Sequence, residues 1–328
     1  MRRYFFLAVI FLLVCTTGCE TTSYSEKADN FVMPPLRLKK LVAVDVFENK
    51  AGFGSEMQLG TGMADMLTDS LMQSGFFRVM ERQAVESVVK EQDFAAGGRT
   101  TKAGSVARIG KMPPVQILIR GAVTEFDVQS SDGGQGITYG GVTIKMHRTT
   151  AHIAIIIRLI DTTTGQVLDS QRIEGVAEAG GLGVDFVDSD FDLHQDASKK
   201  TPVGKACQIA IDRAVRYIII RMSKQPWEGK VIAVRNGAII INAGSESGIK
   251  VGDRFVVLEA GEEFIDPDTG MSLGSDSIEI GEIEIFSVSQ KFSKAAVVSG
   301  GGFEAKNIVR EKQIDKINQI DPTHLGAE

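Results

Sequence analysis

The chain has 328 residues, of which 43% are hydrophobic and 24% charged, with a net charge of −6. These values sit near those of folded soluble proteins and leave room for two domains of ~100 to 200 residues each. They exclude the basic surface that a nucleic-acid partner demands. Taken in chain order, the first feature is Arg2 and Arg3, followed by an apolar run from Tyr4 to Val14 and then Thr16-Thr17-Gly18-Cys19. A basic start, a short apolar stretch and small residues at the cut read as an export signal over residues 1–18. The run falls short of the ~20 residues a membrane-spanning helix needs.

The cysteine behind Gly18 resembles the lipobox of bacterial lipoproteins, with Thr16 where those sequences usually carry Leu. That resemblance implies acylation of Cys19, palmitate among the chains, and a tether to a membrane. Glu20 rather than an aspartate behind it implies sorting to the outer membrane. A plain signal peptide cut at the same place is the other reading. With Cys15 removed and Cys19 acylated, Cys207 has no partner within the chain, so disulfides do not carry the stability.

Residues 19–37 are polar, contain Met33-Pro34-Pro35 and suit an exposed tether. A folded domain is expected over 38–224. It opens with a β-branched strand at Leu41–Phe47, a glycine-bearing loop from Asn49 to Gly62, and a helix marked by Met63, Met66, Leu67, Ser70 and Leu71 that Gly75 stops. Phe76–Met80 reads as a strand, and Val85, Val88 and Val89 mark one face of a short helix beginning near Glu81-Arg82. Ser105–Gly110 adds a helical turn. Val115–Val128 and Ala151–Ile160 read as strands, the latter joined across the turn Asp161–Gly165 to Gln166–Ile173. Thr201 as N-cap and Pro202 behind it open a long helix to about Met222, with Val203, Cys207, Ala210, Ala214 and Tyr217 along one side. Gln225-Pro226 ends it. The order of elements defines an α/β domain.

Short strands follow in a separate all-β unit at 226–311. Lys230–Arg235 and Ala238–Asn242 flank Asn236-Gly237, a strong hairpin signal, and Phe255–Leu258, Ile278–Phe286 and Ala295–Ser299 continue the pattern. Residues 312–328 lack periodicity and read as a loose tail.

Two stretches, 129–150 and 175–197, fit neither core strand nor helix. Each is long enough for two strands of the ~9 to 11 residues that a membrane crossing takes. In the first, Val142, Ile144 and Met146 alternate with Thr143, Lys145 and His147; in the second, Asp188, Asp190 and Asp192 share one face. Four strands cannot close a barrel, because an open edge cannot face lipid. The pattern alone also fits solvated surface loops.

Signatures of other chemistry are missing. Gly133–Gly136 and Gly180–Gly183 follow no strand-to-helix switch, and Gly204-Lys205 precedes Ala206 where a phosphate loop needs Ser or Thr. Leu193 and Lys199 occupy the glycine and glutamate positions of a calcium loop starting at Asp188. His147, His152, His194 and His324 show no metal spacing. Cys207 lies on an apolar helix side, where cysteine is inert packing, and Glu81-Arg82 reads as a brace at a turn. The expectation is a protein that is not an enzyme and holds no metal or cofactor.

The lipobox-like start, Val42–Phe47, Gly75–Arg82, Ile117-Leu-Ile-Arg-Gly121 and Ile155–Gly165 together resemble, over roughly residues 15–222, the CsgG family of outer-membrane lipoproteins that form the secretion channel for curli fibre subunits. The resemblance implies an α+β fold. A periplasmic α/β domain would lend the hairpins 129–150 and 175–197 to an oligomeric transmembrane β-barrel embedded in outer-membrane lipid, which makes Thr143, Lys145, His147, Asp188, Asp190 and Asp192 candidate pore-lining residues. It also implies a homo-oligomeric ring, secreted protein subunits as cargo, and an accessory periplasmic protein as partner. In that family the loop after the first strand carries a tyrosine, an asparagine and a phenylalanine at a constriction; here the loop offers only Phe53. Residues 226–311, through Gly229–Val234, Asn242–Gly248 and Val251–Phe255, look like a small SH3-like domain similar to the C-terminal domain of a protein related to a flagellar assembly lipoprotein. The rival expectation is a periplasmic lipoprotein adaptor for cell-wall or flagellar assembly that never inserts.

Overall fold

At the centre of the fold lies the isoleucine-rich run at 151–159. In the computed structural model, which describes residues 38–52, 59–97, 107, 109–132, 137–139, 142–186, 201–268, 270 and 272–311, Ala151, Ile153, Ile155, Ile157 and Leu159 are all buried. Burial of every second side chain is the mark of a strand covered on one face. Seven strands form this sheet: β1 (Lys40–Val44), β2 (Glu48–Asn49), β3 (Phe77–Met80), β4 (Ile117–Asp132), β5 (Ile137–Tyr139), β6 (Val142–Asp161) and β7 (Val167–Phe186). Its order is β3-β1-β4-β6, with β5 and β7 paired to β6 and β2 to β4. β1 runs parallel to β3 and β4 and β2 parallel to β4, whereas β6 is antiparallel to β4, β5 and β7.

Three helices accompany the sheet: α1 (Leu59–Ser74), α2 (Val85–Ala96) and α3 (Pro202–Ser223). α1 buries Met63, Ala64, Leu67 and Leu71, one stripe at helical spacing. α3 starts as expected, Thr201 Oγ1 accepting from Gly204 N at 3.1 Å with Pro202 in the first turn. Its apolar side, including Cys207, Ala210, Ala214 and Tyr217, joins α1 and β6 in one core. α2 departs from expectation. It begins at Val85 rather than at Glu81-Arg82 and buries Gln92, leaving Val88 and Val89 37% and 39% exposed. Glu81 instead braces the turn, its Oε1 accepting from Ala84 N at 2.9 Å, while Arg82 donates to Pro113 O at 3.2 Å.

β7 and α3 meet backbone to backbone. A Cβ placed on Gly175 would lie 2.0 Å from Ala206 O and 2.9 Å from Ala210 N. Only a residue without a side chain allows this approach, and the small Ala206, Ala210 and Ala214 on the facing helix allow it from the other side.

The remaining strands close on themselves. β8 (Glu228–Arg235), β9 (Ala238–Ile241), β10 (Arg254–Ile265), β11 (Ser272–Val288), β12 (Ser293–Gly300) and β13 (Ile308–Glu311) form a six-stranded barrel in the order β10-β11-β12-β9-β8-β13. Asn236 (φ 52°) and Gly237 (φ 75°) make the expected two-residue turn. Trp227 packs on Phe255 with ring centroids 5.6 Å apart, inside a core that includes Val231, Ile239, Ile241 and Ile283. Two features differ from expectation: β13 exists and completes the closure between β10 and β8, and β10 and β11 run well past the apolar segments that signalled them. The expected tail, 312–328, lies outside the described residues, as do the signal and tether.

The barrel is held to the sheet by more than the Gln225-Pro226 link. Leu38 is buried in the barrel core, Lys39 N donates to Ser247 O at 2.9 Å, and Arg78 on β3 pairs with Glu246 at 2.8 Å. Next to the link, Lys40 of β1 donates to the carbonyls of Met222 and Gln225 at the end of α3, where a cation suits the helix dipole. Burial pushes its pKa down to about 8, against the upward pull of Glu311 and Glu228.

Two outcomes follow. Gly175→Ala is expected to lower stability by about 1–3 kcal/mol through overpacking, read from urea denaturation. Gly62→Ala, at an exposed helical site where a Cβ meets nothing within 4 Å, should raise it by about 0.5–1 kcal/mol; equal effects at the two sites would contradict the packing described. For Lys40, the unfolded chain holds a proton that the folded chain releases between pH about 8 and 10.5, so stability rises with pH across that window. The difference in unfolding free energy between the native chain and Lys40→Met should be flat below pH 8 and grow in favour of the native chain above it.

Candidate functional site

Past Ala151 the sheet outruns its helices. β4 pairs β6 continuously out to Asp132↔His147, and β6 pairs β7 out to Val142↔Phe186. A register shift between Val123 and Glu125 marks where β4 leaves the core: Val123 is fully buried, whereas Asp127 to Ser131 are exposed. The result is a three-stranded ribbon, with roughly nine residues of β6 beyond the core at ~3.3 Å each, or about 30 Å. Among the described residues, no strand pairs the outer edge of β4 beyond Val123 or the outer edge of β7.

The geometry revises the expectation of two separate excursions. The stretch 129–150 is the end of β4, β5 and the start of β6, direct continuations of core strands. The stretch 175–197 is, as far as Phe186, a continuation of β7 laid against β6. The missed signal was the alternation of Ile173, Gly175 and Ala177 with Glu174, Val176 and Glu178, which continues the strand outward instead of ending it at Ile173. Thr143, Lys145 and His147 occupy alternate positions of β6, opposite Asp185, Gly183 and Gly181. They therefore share one face, and Val142, Ile144 and Met146 share the other. Asp188, Asp190, Asp192, Phe53 and Cys19 lie outside the described residues.

Where the ribbon leaves the body it is charged. Arg172 pairs with Glu125 at 2.8 Å and with Glu174, His152 Nε2 lies 3.5 Å from Glu174, and Arg148 pairs with Glu178. Further along the uncovered face, Lys50 at 2.9 Å and Arg120 at 2.6 Å hold the Glu48 carboxyl below the usual carboxylate range, the Lys50 hydrogen bond contributing most. These exposed pairs keep the face solvated and contribute little stability each.

Several described residues that could suggest other chemistry serve the structure. Gly180, Gly181 and Gly183 lie within β7, and Gly204 N–H is taken by the Thr201 cap. Burial pushes the Cys207 thiol up to about 11 and the Tyr217 phenol up to about 12, the opposite of an activated nucleophile. Among the described residues no group of three or more His, Cys, Asp or Glu could hold a metal ion. No described helix is long and apolar enough to cross a membrane, which leaves crossing by strands open.

The described residues thus form an α/β body that extends a bare-edged β-ribbon, with a closed barrel beside it. The family model of the curli production assembly/transport component CsgG matches residues 24–250. The chain belongs to the CsgG family, a family of transport and assembly components and not of enzymes. The match runs beyond the α/β part into β8, β9 and the Ser245–Ser247 turn of the barrel, further than the sequence resemblance reached. Curated relatives include CsgG of Escherichia coli strain K12, 23% identical over 194 residues that cover 52% of this chain and 68% of that one. CsgG of Salmonella typhimurium strain LT2 is 24% identical over 110 residues, 32% of this chain and 39% of that one. Among solved structures, the hypothetical protein CT253 of Chlamydia trachomatis aligns with a TM-score of 0.34 at 10% identity, over 57% of this chain and 99% of that one. A PelC dodecamer from Paraburkholderia phytofirmans aligns with a TM-score of 0.25 at 13% identity, over 56% and 92%.

The Cys207 environment carries its own test. In the native protein near pH 7.5 the thiol should be inert to a water-soluble maleimide for hours and react within minutes in denaturant; rapid native labelling would contradict its burial.

Proposed function

We propose that this protein is an outer-membrane lipoprotein, anchored through Cys19, whose copies assemble into a ring and close their ribbons into one transmembrane β-barrel for export of fibre-type protein subunits. The single observation that carries this reading is the ribbon, whose two outer edges no described strand pairs. Unpaired backbone groups cannot face hydrocarbon, and three or four strands cannot close alone where the smallest barrels have ~8. Edge-to-edge pairing of copies satisfies both constraints, and the length of the ribbon beyond the core matches the ~9 to 11 residues of a tilted crossing. Val142, Ile144 and Met146 would face lipid, and Thr143, Lys145 and His147 the lumen, joined there by Asp188, Asp190 and Asp192, with Phe53 nearest the constriction. On this reading passage is passive, and its direction is set by an accessory periplasmic or pore-capping protein.

One observation favours the alternative of a periplasmic adaptor for cell-wall or flagellar assembly that does not insert: the exposed Arg148–Glu178 pair and the polar Gln129–Ser131 segment keep the base of the ribbon in water. On the channel reading this base lies at the headgroup level.

The experiment separates the two. Full-length lipidated protein purified in detergent should show ring particles by negative stain and give stable conductance in planar bilayers. In intact outer membranes, Thr143→Cys should react with a water-soluble maleimide and Ile144→Cys should be protected at least about tenfold. Equal labelling at both positions, with monomers and no conductance, would overturn the channel and leave the adaptor.

A further inference from the structure

Beyond the closed part of the barrel, β10 and β11 continue as a two-stranded arm, Glu259–Ile265 against Ser272–Glu279. Over its seven residues on β10 the arm extends about 20 Å at ~3.3 Å per residue. Exposed apolar side chains stand on it: Phe264 at 55%, Ile265 at 52% and Ile278 at 62%. Exposed carboxylates surround them, Glu259, Glu262, Asp268, Asp276 and Glu279, and no lysine or arginine occurs between Arg254 and Lys291. An isolated two-stranded hairpin is marginally stable in water, and large exposed apolar groups rimmed by charge mark a protein contact.

The barrel carries the complement on its other side. In the closed order β10-β11-β12-β9-β8-β13, the strands opposite β10 and β11 are β9 and β8. There Ile232, 50% exposed, lies with Ala233 and Ile240 between the exposed Lys230 on β8 and Lys294 on β12, which is in register with Ile240. Arg235 is exposed at the end of the same wall. One surface is thus apolar with an acidic rim and the other apolar with a basic rim, and their positions on opposite sides prevent one chain from joining them.

We propose that the arm of one copy docks on the β8–β9 wall of the next, so that the barrels associate head to tail. This deepens, and rests on, the reading of the protein as a homo-oligomer. A heterologous contact of this kind makes a ring when the rotation closes, and charge complementarity sets its register and orientation. The arm and Lys294 lie beyond residue 250, where the family match ends, whereas the rest of the wall lies within it.

The test uses the full chain. Reversing the arm (Glu259, Glu262, Asp276 and Glu279 to Lys) or the wall (Lys230, Arg235 and Lys294 to Glu) should raise the concentration for half-assembly by about tenfold or more, measured by sedimentation. The chain reversed on both surfaces should recover assembly, which no folding defect could produce. Native assembly should weaken between about 0.05 and 0.5 M salt, and a chain carrying Ile278→Cys and Ile232→Cys should give a ladder of disulfide-linked copies on mild oxidation. Unchanged assembly in both single reversals, no recovery in the double, or no ladder would overturn the inference; an arm that holds a different protein while copies still assemble would overturn it too. Conductance reports separately: a ladder without conductance strikes the channel, and conductance without a ladder strikes this contact.

Discussion

Backbone N–H and C=O groups on a strand edge must find a partner, and along the outer halves of β4 and β7 no described residue supplies one. Natural sheets blunt long edges with charge, bulges or cover. Here a bulge stands at Val123/Glu125 and charges cluster at Glu125, Arg148, Arg172 and Glu178, all at the root of the ribbon. These devices protect the part of the edge nearest the body and leave the rest without a partner among the described residues. The approach of α3 to Gly175 belongs to the same problem, because it clamps β7 to the core beside the buried Ala177, close to where the ribbon leaves, and so fixes its direction.

The barrel solves the edge problem by closure and shows what the ribbon lacks. Its six strands leave no open side, and the four residues of β13 suffice to seal it. Its unusual property is electrostatic instead. Residues 228–311 hold fourteen acidic residues against eight basic ones, equal to the entire net charge of −6 of the chain, and nine of those acids fall between Arg254 and Lys291. Because Leu38, Lys39 and Arg78 bind the barrel to the N-terminal ends of the sheet strands, a contact made by the barrel also orients the sheet.

Much of this was legible in the sequence, and the reasons differ by element. Thr201-Pro202, the Asn236-Gly237 turn and the stripe Met63–Leu71 encode local structure through local chemistry, and each formed as read. α2 misled because its valines carry the helical period while Gln92 is what the fold buries; a pattern gives the period of a helix but not its partner. β7 was cut short at Ile173 because Gly175, Gly180, Gly181 and Gly183 weaken a strand signal, although Gly175 is there to admit α3. β13 has only Ile308 and Val309 as apolar content, and its place depends on register with β8 and β10, which is non-local. Of the candidate pore residues, Thr143, Lys145 and His147 shared a face as the alternation required, since period two is a property of any strand.

In the proposed assembly the two contacts operate in different media, and that difference gives them an order. Edge pairing gains most in hydrocarbon, where an unsatisfied group has no water to turn to; in water the same edges are an aggregation hazard. The arm-to-wall contact, apolar at its centre and charged at its rim, forms in water. Once barrels are joined, neighbouring ribbons are held at the high effective concentration that a tether provides, and their edges meet in one orientation instead of many. A chain that assembled by its ribbons alone would have to expose unpaired, flat strands before any register was imposed, whereas a barrel that docks first imposes the register and lets the strands pair as they enter lipid.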